Sequence, residues 1–355
     1  MIAALENTFD PDPGYLNTAS LGIPPLAALD LLSEVHEDWR HGRVEPAAFD
    51  ESVARARAAW ASLSNVSPSQ VAVGGNVSQL IGLVAASLPD GARVVTARGE
   101  FTSVTFPFLA HADRGVRLAE LPLEELATFQ GEADLVVVSA VQSADGRVAD
   151  LAALRQAADR AGARLLVDTT QATGWLPIDC EAIDFVVCGG YKWLMAPRGT
   201  AYFSVRPELL DSIRPLAANW YAGAVPWDSI YGSPLRLASD ARRFDLSPAW
   251  FSWSGAAVSL ELLAGLDQQQ VYRHNLALAN RFLAGLGKPA GDSAIVTVDS
   301  SGAAERLAAA GVRTAVRAGR VRASFHLYNT EADVDLALSA LLEPGSVELE
   351  PRTVG

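Results

Sequence analysis

Three observations predict an α/β protein built round an open, mostly parallel sheet. First, the apolar runs Leu135–Val136–Val137–Val138, Leu165–Leu166–Val167 and Phe185–Val186–Val187–Cys188 do not alternate with polar residues, which is the pattern of parallel strands covered on both faces. Second, polar residues gather just after these runs: Asp168 and Gln171 after one, Tyr191 and Lys192 after another. In an open α/β sheet the carboxyl ends of the strands leave the crevice that holds the site. Third, helical stretches separate the strand runs, with 24–63 reading as helix interrupted near Pro46 and 254–287 as mainly helical.

In chain order, the turn Pro11–Asp12–Pro13–Gly14 leads into YLNTASLG over 15–22. Val71–Ala72–Val73 reads as a strand that runs through Gly74–Gly75–Asn76 into a helix. Free amides at such a helix start favour an anion, and glycines permit close approach. No nucleotide P-loop or GxGxxG fingerprint occurs. Arg93–Thr96 is the next strand, followed by Gly99–Glu100–Phe101, and Val141–Gly146 reads as a Gln/Ser-rich turn. Residues 220–253 are crowded with aromatic rings, a composition suited to core or interface packing. Ala294–Val298 and Val321–Phe325 are strands of a second, smaller α/β domain. The expected division is 1–23 as an N-terminal active-site segment, 24–250 as the large domain and 251–355 as the small one.

Composition narrows the function. The chain has 355 residues, is 50% hydrophobic and 19% charged, and carries a formal charge of -13. It is therefore a folded chain with no broad basic surface for nucleic acid or anionic membrane. Cys180 and Cys188 form no disulfide framework, and the five histidines show no metal-ligand spacing. The first residues lack a basic stretch before an apolar core, and no apolar run is long enough to span a membrane, so a cytoplasmic location is expected.

The chain has only two lysines. Lys288 sits in the Gly/Pro-rich turn GLGKPAGD, whereas Lys192 follows a buried strand, where an ammonium is costly unless it is paired or used. It is either one half of a structural salt bridge or a lysine that forms a Schiff base with a carbonyl cofactor. In the second case a carboxylate must face the cofactor's pyridine nitrogen, and Asp168 is the candidate.

VDTTQATG and GGYKWLMAPRG, with YLNTASLG near the start and VRASFHLYNT near the end, resemble the class V aminotransferase family of fold-type I pyridoxal-phosphate enzymes. That family includes cysteine desulfurases, kynureninases and isopenicillin N epimerase-like proteins. The resemblance implies a large, mostly parallel seven-stranded sheet domain with a smaller α/β domain, and pyridoxal 5'-phosphate as cofactor. It implies Lys192 as the cofactor-carrying lysine, Asp168 at the pyridine nitrogen, Gln171 near the phenolic oxygen and Tyr191 reaching the phosphate. Gly75, Asn76 and Val77 fall at the phosphate position. Phe101 falls where desulfurases usually place a ring-stacking histidine. Asn17, Ala19 and Ser20 belong to a segment over the site, with the backbone near Ala19–Ser20 receiving a substrate carboxylate. Gln142 lies either near the cofactor and substrate or in a surface turn. Trp220 resembles part of a kynureninase tryptophan pair, and Ser247 a hydroxyl donated to a partner's phosphate, which implies a homodimer. Arg322 is expected on the substrate carboxylate as a guanidinium fork.

Desulfurases carry a cysteine on a loop shortly before the arginine strand, and GVRTAVRAGRVRASF contains none. The sequence therefore favours a β-eliminating lyase acting on a modified amino acid. An aminotransferase is the alternative, an epimerase a weaker one, and a desulfurase is disfavoured.

Overall fold

The computed structural model describes residue 5 and residues 7–342. Seven strands form the main sheet: β1 Val71–Gly74, β2 Arg93–Ala97, β3 Arg117–Leu121, β4 Leu135–Ser139, β5 Arg164–Asp168, β6 Phe185–Gly189 and β7 Ala201–Val205. Their order is β1-β7-β6-β5-β4-β2-β3. All neighbouring pairs are parallel except those made by β7, which runs against both β6 and β1. The expected α/β, mostly parallel seven-stranded architecture is the one observed.

The non-alternating runs are buried on both faces. Along β4, Val136 and Val138 enter one apolar core while Leu135 and Val137 enter the other. On β5 and β6, Leu165, Val167, Val186 and Cys188 share the first core, and Leu166, Phe185 and Val187 the second. Each strand is therefore apolar throughout because each pleat face meets a separate layer.

The helices are α1 Leu26–Arg40, α2 Phe49–Leu63, α3 Val77–Ser87, α4 Thr102–Leu109, α5 Leu123–Leu126, α6 Leu151–Ala161, α7 Trp250–Ala264, α8 Gln268–Gly285, α9 Ala303–Ala309 and α10 Glu331–Leu342. The break predicted near Pro46 lies between α1 and α2, where Pro46 opens a short 3₁₀ turn. Helix α7 packs on α1 and α2, and its Trp253, Ala256 and Leu260 join the core shared with the large sheet.

A second sheet, β8 Ile295–Val298, β9 Ala315–Arg317 and β10 Arg320–Ser324, is antiparallel in the order β8-β10-β9. Its core gathers Phe282, Val296, Val321, Phe325 and Val334, together with Leu16 from the N-terminal segment. That segment is stitched to the second sheet: Leu16 N–H donates to Arg313 O, Ser324 N–H donates to Leu16 O, and Gly14 N–H donates to an Asp333 carboxylate oxygen at 2.7 Å. It then crosses to the large sheet, where Gly22 N–H donates to Tyr191 O.

Candidate active site

A cavity of about 330 Å³ opens at the carboxyl ends of β4, β5 and β6, lined there by Ser139, Asp168 and Gly189. The lysine sits in the loop that leaves β6. Gly190 N–H donates to Thr200 O, Met195 N–H to Lys192 O and Ala196 N–H to Gly190 O, which closes residues 190–196 into a tight bend. Position 190 admits no side chain, since a Cβ there would lie 2.3 Å from Thr200 Oγ1. The N-terminal segment presses on the same loop so closely that a Cβ on Gly22 would fall 1.9 Å from Lys192 O. From the opposite side, Ser259 Oγ on α7 donates to Met195 O, and His326 Nε2 lies 2.9 Å from Trp193 O.

Lys192 is buried. Among the described residues its Nζ has no hydrogen-bond acceptor, and the rings of Phe101 and Tyr191 stand 5.3 and 5.6 Å away. Desolvation pulls its pKa down to about 8, with Asp168 opposing the shift and Arg322 adding to it. Asp168, also buried, accepts Thr170 N–H at 2.8 Å. Desolvation raises its pKa to about 6, against the pull of Thr170 and Lys192. Two titratable groups in one crevice are thus displaced toward neutral pH, as acid–base chemistry requires.

The expected cofactor residues Gly75, Asn76, Val77, Phe101, Asp168, Gln171, Tyr191 and Lys192 all line this cavity. Asn76 caps α3 by accepting Gln79 N–H at 3.0 Å, leaving the first-turn amides of Val77 and Ser78 without an i−4 carbonyl. The Arg198 guanidinium lies 4.9 Å from the Tyr191 ring, lines the cavity, and has no acidic partner among the described residues. Helix-start amides and a free guanidinium form a donor set suited to a phosphate. With an amine to carry an aldehyde and a buried carboxylate for a pyridine nitrogen, these residues fit pyridoxal phosphate.

Other assignments change. The carboxamide of Gln142 is turned away from the cavity and held by Glu100, 2.9 Å from Nε2. Its neighbour Ser143 lines the cavity instead and takes hydrogen bonds from Gln171 Nε2 and Arg322 Nη1. Glu100 itself also holds the Phe101 and Ser139 amides, so it braces the loop under the cavity. The backbone amides of Ala19 and Ser20 are committed to Ser324 Oγ and Asn17 O, so they are not the carboxylate receivers. Ser20 instead accepts Arg322 Nη2 through its hydroxyl at 2.9 Å. Asn17 bridges to Ser324 of β10 through its backbone. Trp220 lies outside the cavity, packed on Trp227 and Tyr221. Ser247 is exposed and lines a smaller adjoining cavity with Gly75.

Arg322 is almost fully buried, at 1% exposure. Among the described residues its only acceptors besides Ser20 are the carbonyl and hydroxyl of Ser143, and its buried Nε has no partner there. A buried cation held by neutral oxygens alone lacks its counter-ion.

The aminotransferase class-V family matches residues 31–306. The chain belongs to the class-V aminotransferase family. Membership in this fold-type I family implies use of pyridoxal phosphate. An uncharacterized aminotransferase of Bacillus subtilis, YcbU, is 33% identical over 62% of this chain, a stretch spanning 60% of that relative's own length. A probable cysteine desulfurase of Synechocystis is 24% identical over 92% of this chain and 90% of its own. Among solved structures, the cystine C-S lyase C-DES, in complex with cysteine persulfide, superposes with a TM-score of 0.83 at 22% identity. It covers 97% of this chain and 100% of that one, and shows the same fold.

These comparisons overturn the expected reaction class. A β-eliminating lyase had been favoured, with aminotransferase and epimerase as alternatives and desulfurases set aside, because the loop before β10 lacks a cysteine. Likeness to cysteine desulfurases nevertheless runs through almost the whole class-V chain. One missing side chain in a short loop is a weak argument against a likeness that spans 92 to 94% of the chain.

Proposed function

We propose that this class-V chain is a cysteine-desulfurase-like, pyridoxal-phosphate-dependent enzyme that acts at the Cα–H bond of an α-amino acid. The observation that carries the reading is the grouping of Lys192 and Asp168 on one cavity with Arg322, a buried cation lacking a counter-ion, linked to it through Ser143.

Pyridoxal phosphate, when bound, supplies a protonated ring that draws electron density from the substrate's Cα. Asp168 holds the proton at the pyridine nitrogen, where an ionised carboxylate is favoured by the cation beside it. The amides at the start of α3 and Arg198 take the phosphate. Arg322 receives the substrate carboxylate through Nε, which has no other acceptor. Lys192 Nζ, with a pKa of about 8, takes the proton from Cα and can return it near neutral pH. Phe101, at the cavity wall, limits water at the ring.

The chain's own thiols do not accept sulfur in this reading. Cys180 and Cys188 are buried, and desolvation pushes both thiols up to about 12, so neither supplies a thiolate. With L-cysteine, the C–S bond breaks, hydrogen is placed on Cβ and the sulfur passes to an added thiol. One cysteine and one thiol give one alanine and one persulfide. Incubating the holoenzyme with L-cysteine and dithiothreitol, with amino-acid analysis, should yield alanine and sulfide in equal amounts, the dithiol's second thiol closing on the persulfide and releasing its outer sulfur. Pyruvate and ammonia in place of alanine would overturn this function.

The same reading makes the active form a homodimer, with the exposed Ser247 of one chain serving the phosphate end of its neighbour. Ser247 is exposed, as a hydroxyl that serves a neighbouring chain must be.

A further inference from the structure

Arg322 is not the only guanidinium without an acid. Arg317, at the end of β9, is exposed and makes no salt bridge among the described residues. Its Nη1 donates to Val316 O at 2.8 Å, and its Nη2 reaches Ser20 Oγ at 3.4 Å. That is the hydroxyl which accepts Arg322 Nη2 at 2.9 Å. Two like charges therefore converge on one neutral oxygen, an arrangement that raises the energy of both unless an anion joins them. Other arginines without a carboxylate partner among the described residues, such as Arg160 and Arg273, share no acceptor with a buried guanidinium, as Arg317 does.

The pair has a division of labour. Arg322 is buried with one unpartnered donor, which suits one carboxylate held deep in the site. Arg317 stands further out on the same hairpin, across from Arg320 in the β9–β10 register. Its charge is felt at both Arg322 and Lys192, where it pushes the pKa down. A ligand that neutralised only Arg322 would leave this second cation unpaired at the shared Ser20 hydroxyl.

We propose that Arg317 is a specificity residue that receives a second anionic group, borne on the side chain of the amino acid whose α-carboxylate Arg322 holds. The inference rests on the amino-acid reading above and narrows its substrates to α-amino acids whose side chain carries a negative charge, a class that includes L-cysteine as its thiolate.

The test is ligand binding to the holoenzyme, followed by cofactor absorbance and by calorimetry. It uses matched pairs that differ in side-chain charge: L-aspartate with L-asparagine, L-glutamate with L-glutamine, and L-2-aminoadipate with L-norleucine. At least one acidic member should bind about tenfold or more tightly than its neutral partner, the scale of one charge-assisted contact. In Arg317→Gln the ratio of the two affinities should fall toward one, and Arg317→Lys should restore much of it. Equal binding within every pair in the wild type would overturn the proposal, as would a ratio that Arg317→Gln leaves unchanged, since Arg317 would then be a solvated arginine only. Failure of L-cysteine and of every member of the pairs alike to bind would instead reject the amino-acid reading, and this inference with it.

Discussion

At the scale of single residues, Lys192 and Asp168 give the clearest quantitative consequence. A lysine with a pKa of about 8, against its ordinary 10.5, is mostly ammonium at pH 7 and gains neutral amine about tenfold per pH unit below that value. We predict that the rate at which cofactor-free protein takes up pyridoxal phosphate rises with pH and levels off near 8. Borohydride reduction at each pH and peptide mass spectrometry at Lys192 would measure it. Asp168 raises the lysine's pKa, so Asp168→Asn should move the inflection below 8 and quicken uptake at pH 7. An inflection near 10.5 in the native chain would contradict the environment described. The pairing of these residues was legible in the sequence because each stands at the end of an apolar run. Ser143 was not, because Gln142 and Ser143 are adjacent and only Glu100, 42 residues upstream of Gln142, decides which of them turns inward. Nor was His326, whose contact with Trp193 O joins residues 133 positions apart.

At the scale of elements, the site depends on how loops are clamped. The N-terminal segment meets the lysine bend at Gly22 without room for a methyl group. Gly22→Ala should therefore shift the segment, destabilise the protein by about 1–3 kcal/mol and loosen cofactor retention, measured by denaturant titration and dialysis. A second clamp joins Asp245 to Arg57 at 2.7 Å and to Val73 N–H at 2.8 Å, tying the 240–247 stretch to β1 beside the phosphate end. Asp245→Ala would leave a buried guanidinium unpaired, a loss of about 3–5 kcal/mol that urea unfolding would register. The strands themselves were visible as runs, and the break near Pro46 as a proline. The clamps were not, because each is a contact between segments far apart in sequence.

At the scale of the molecule, the large sheet, its antiparallel β7 and the separate three-stranded sheet place one cavity at the strand ends. If the cavity is completed by a second chain in the proposed homodimer, activity should fall with dilution in step with dissociation. Sedimentation and turnover measured over the same concentration series check this. Ser247→Ala should weaken phosphate-end retention of the cofactor by about fivefold, the worth of one hydrogen bond. A monomer with full activity would count against both. The non-alternating apolar runs and the polar residues that follow them were enough to anticipate the fold class. They could not reveal the local excess of guanidinium at Arg317 and Arg322, since that arises only when β9, β10 and Ser20 are brought together.

The route of the N-terminal segment sets an order of events during synthesis. Residues 14–22 leave the ribosome about 300 residues ahead of their partners Arg313, Ser324, Tyr328 and Asp333. The nascent chain can build its large sheet and the Lys192 bend while residues 14–22 wait unpaired. Only when β10 and the start of α10 have emerged can that segment cross over and lock the bend through Gly22, so Lys192 is fixed in place after both sheets have been made. A ribosome stalled before β10 would carry a complete large sheet whose lysine is still unlatched.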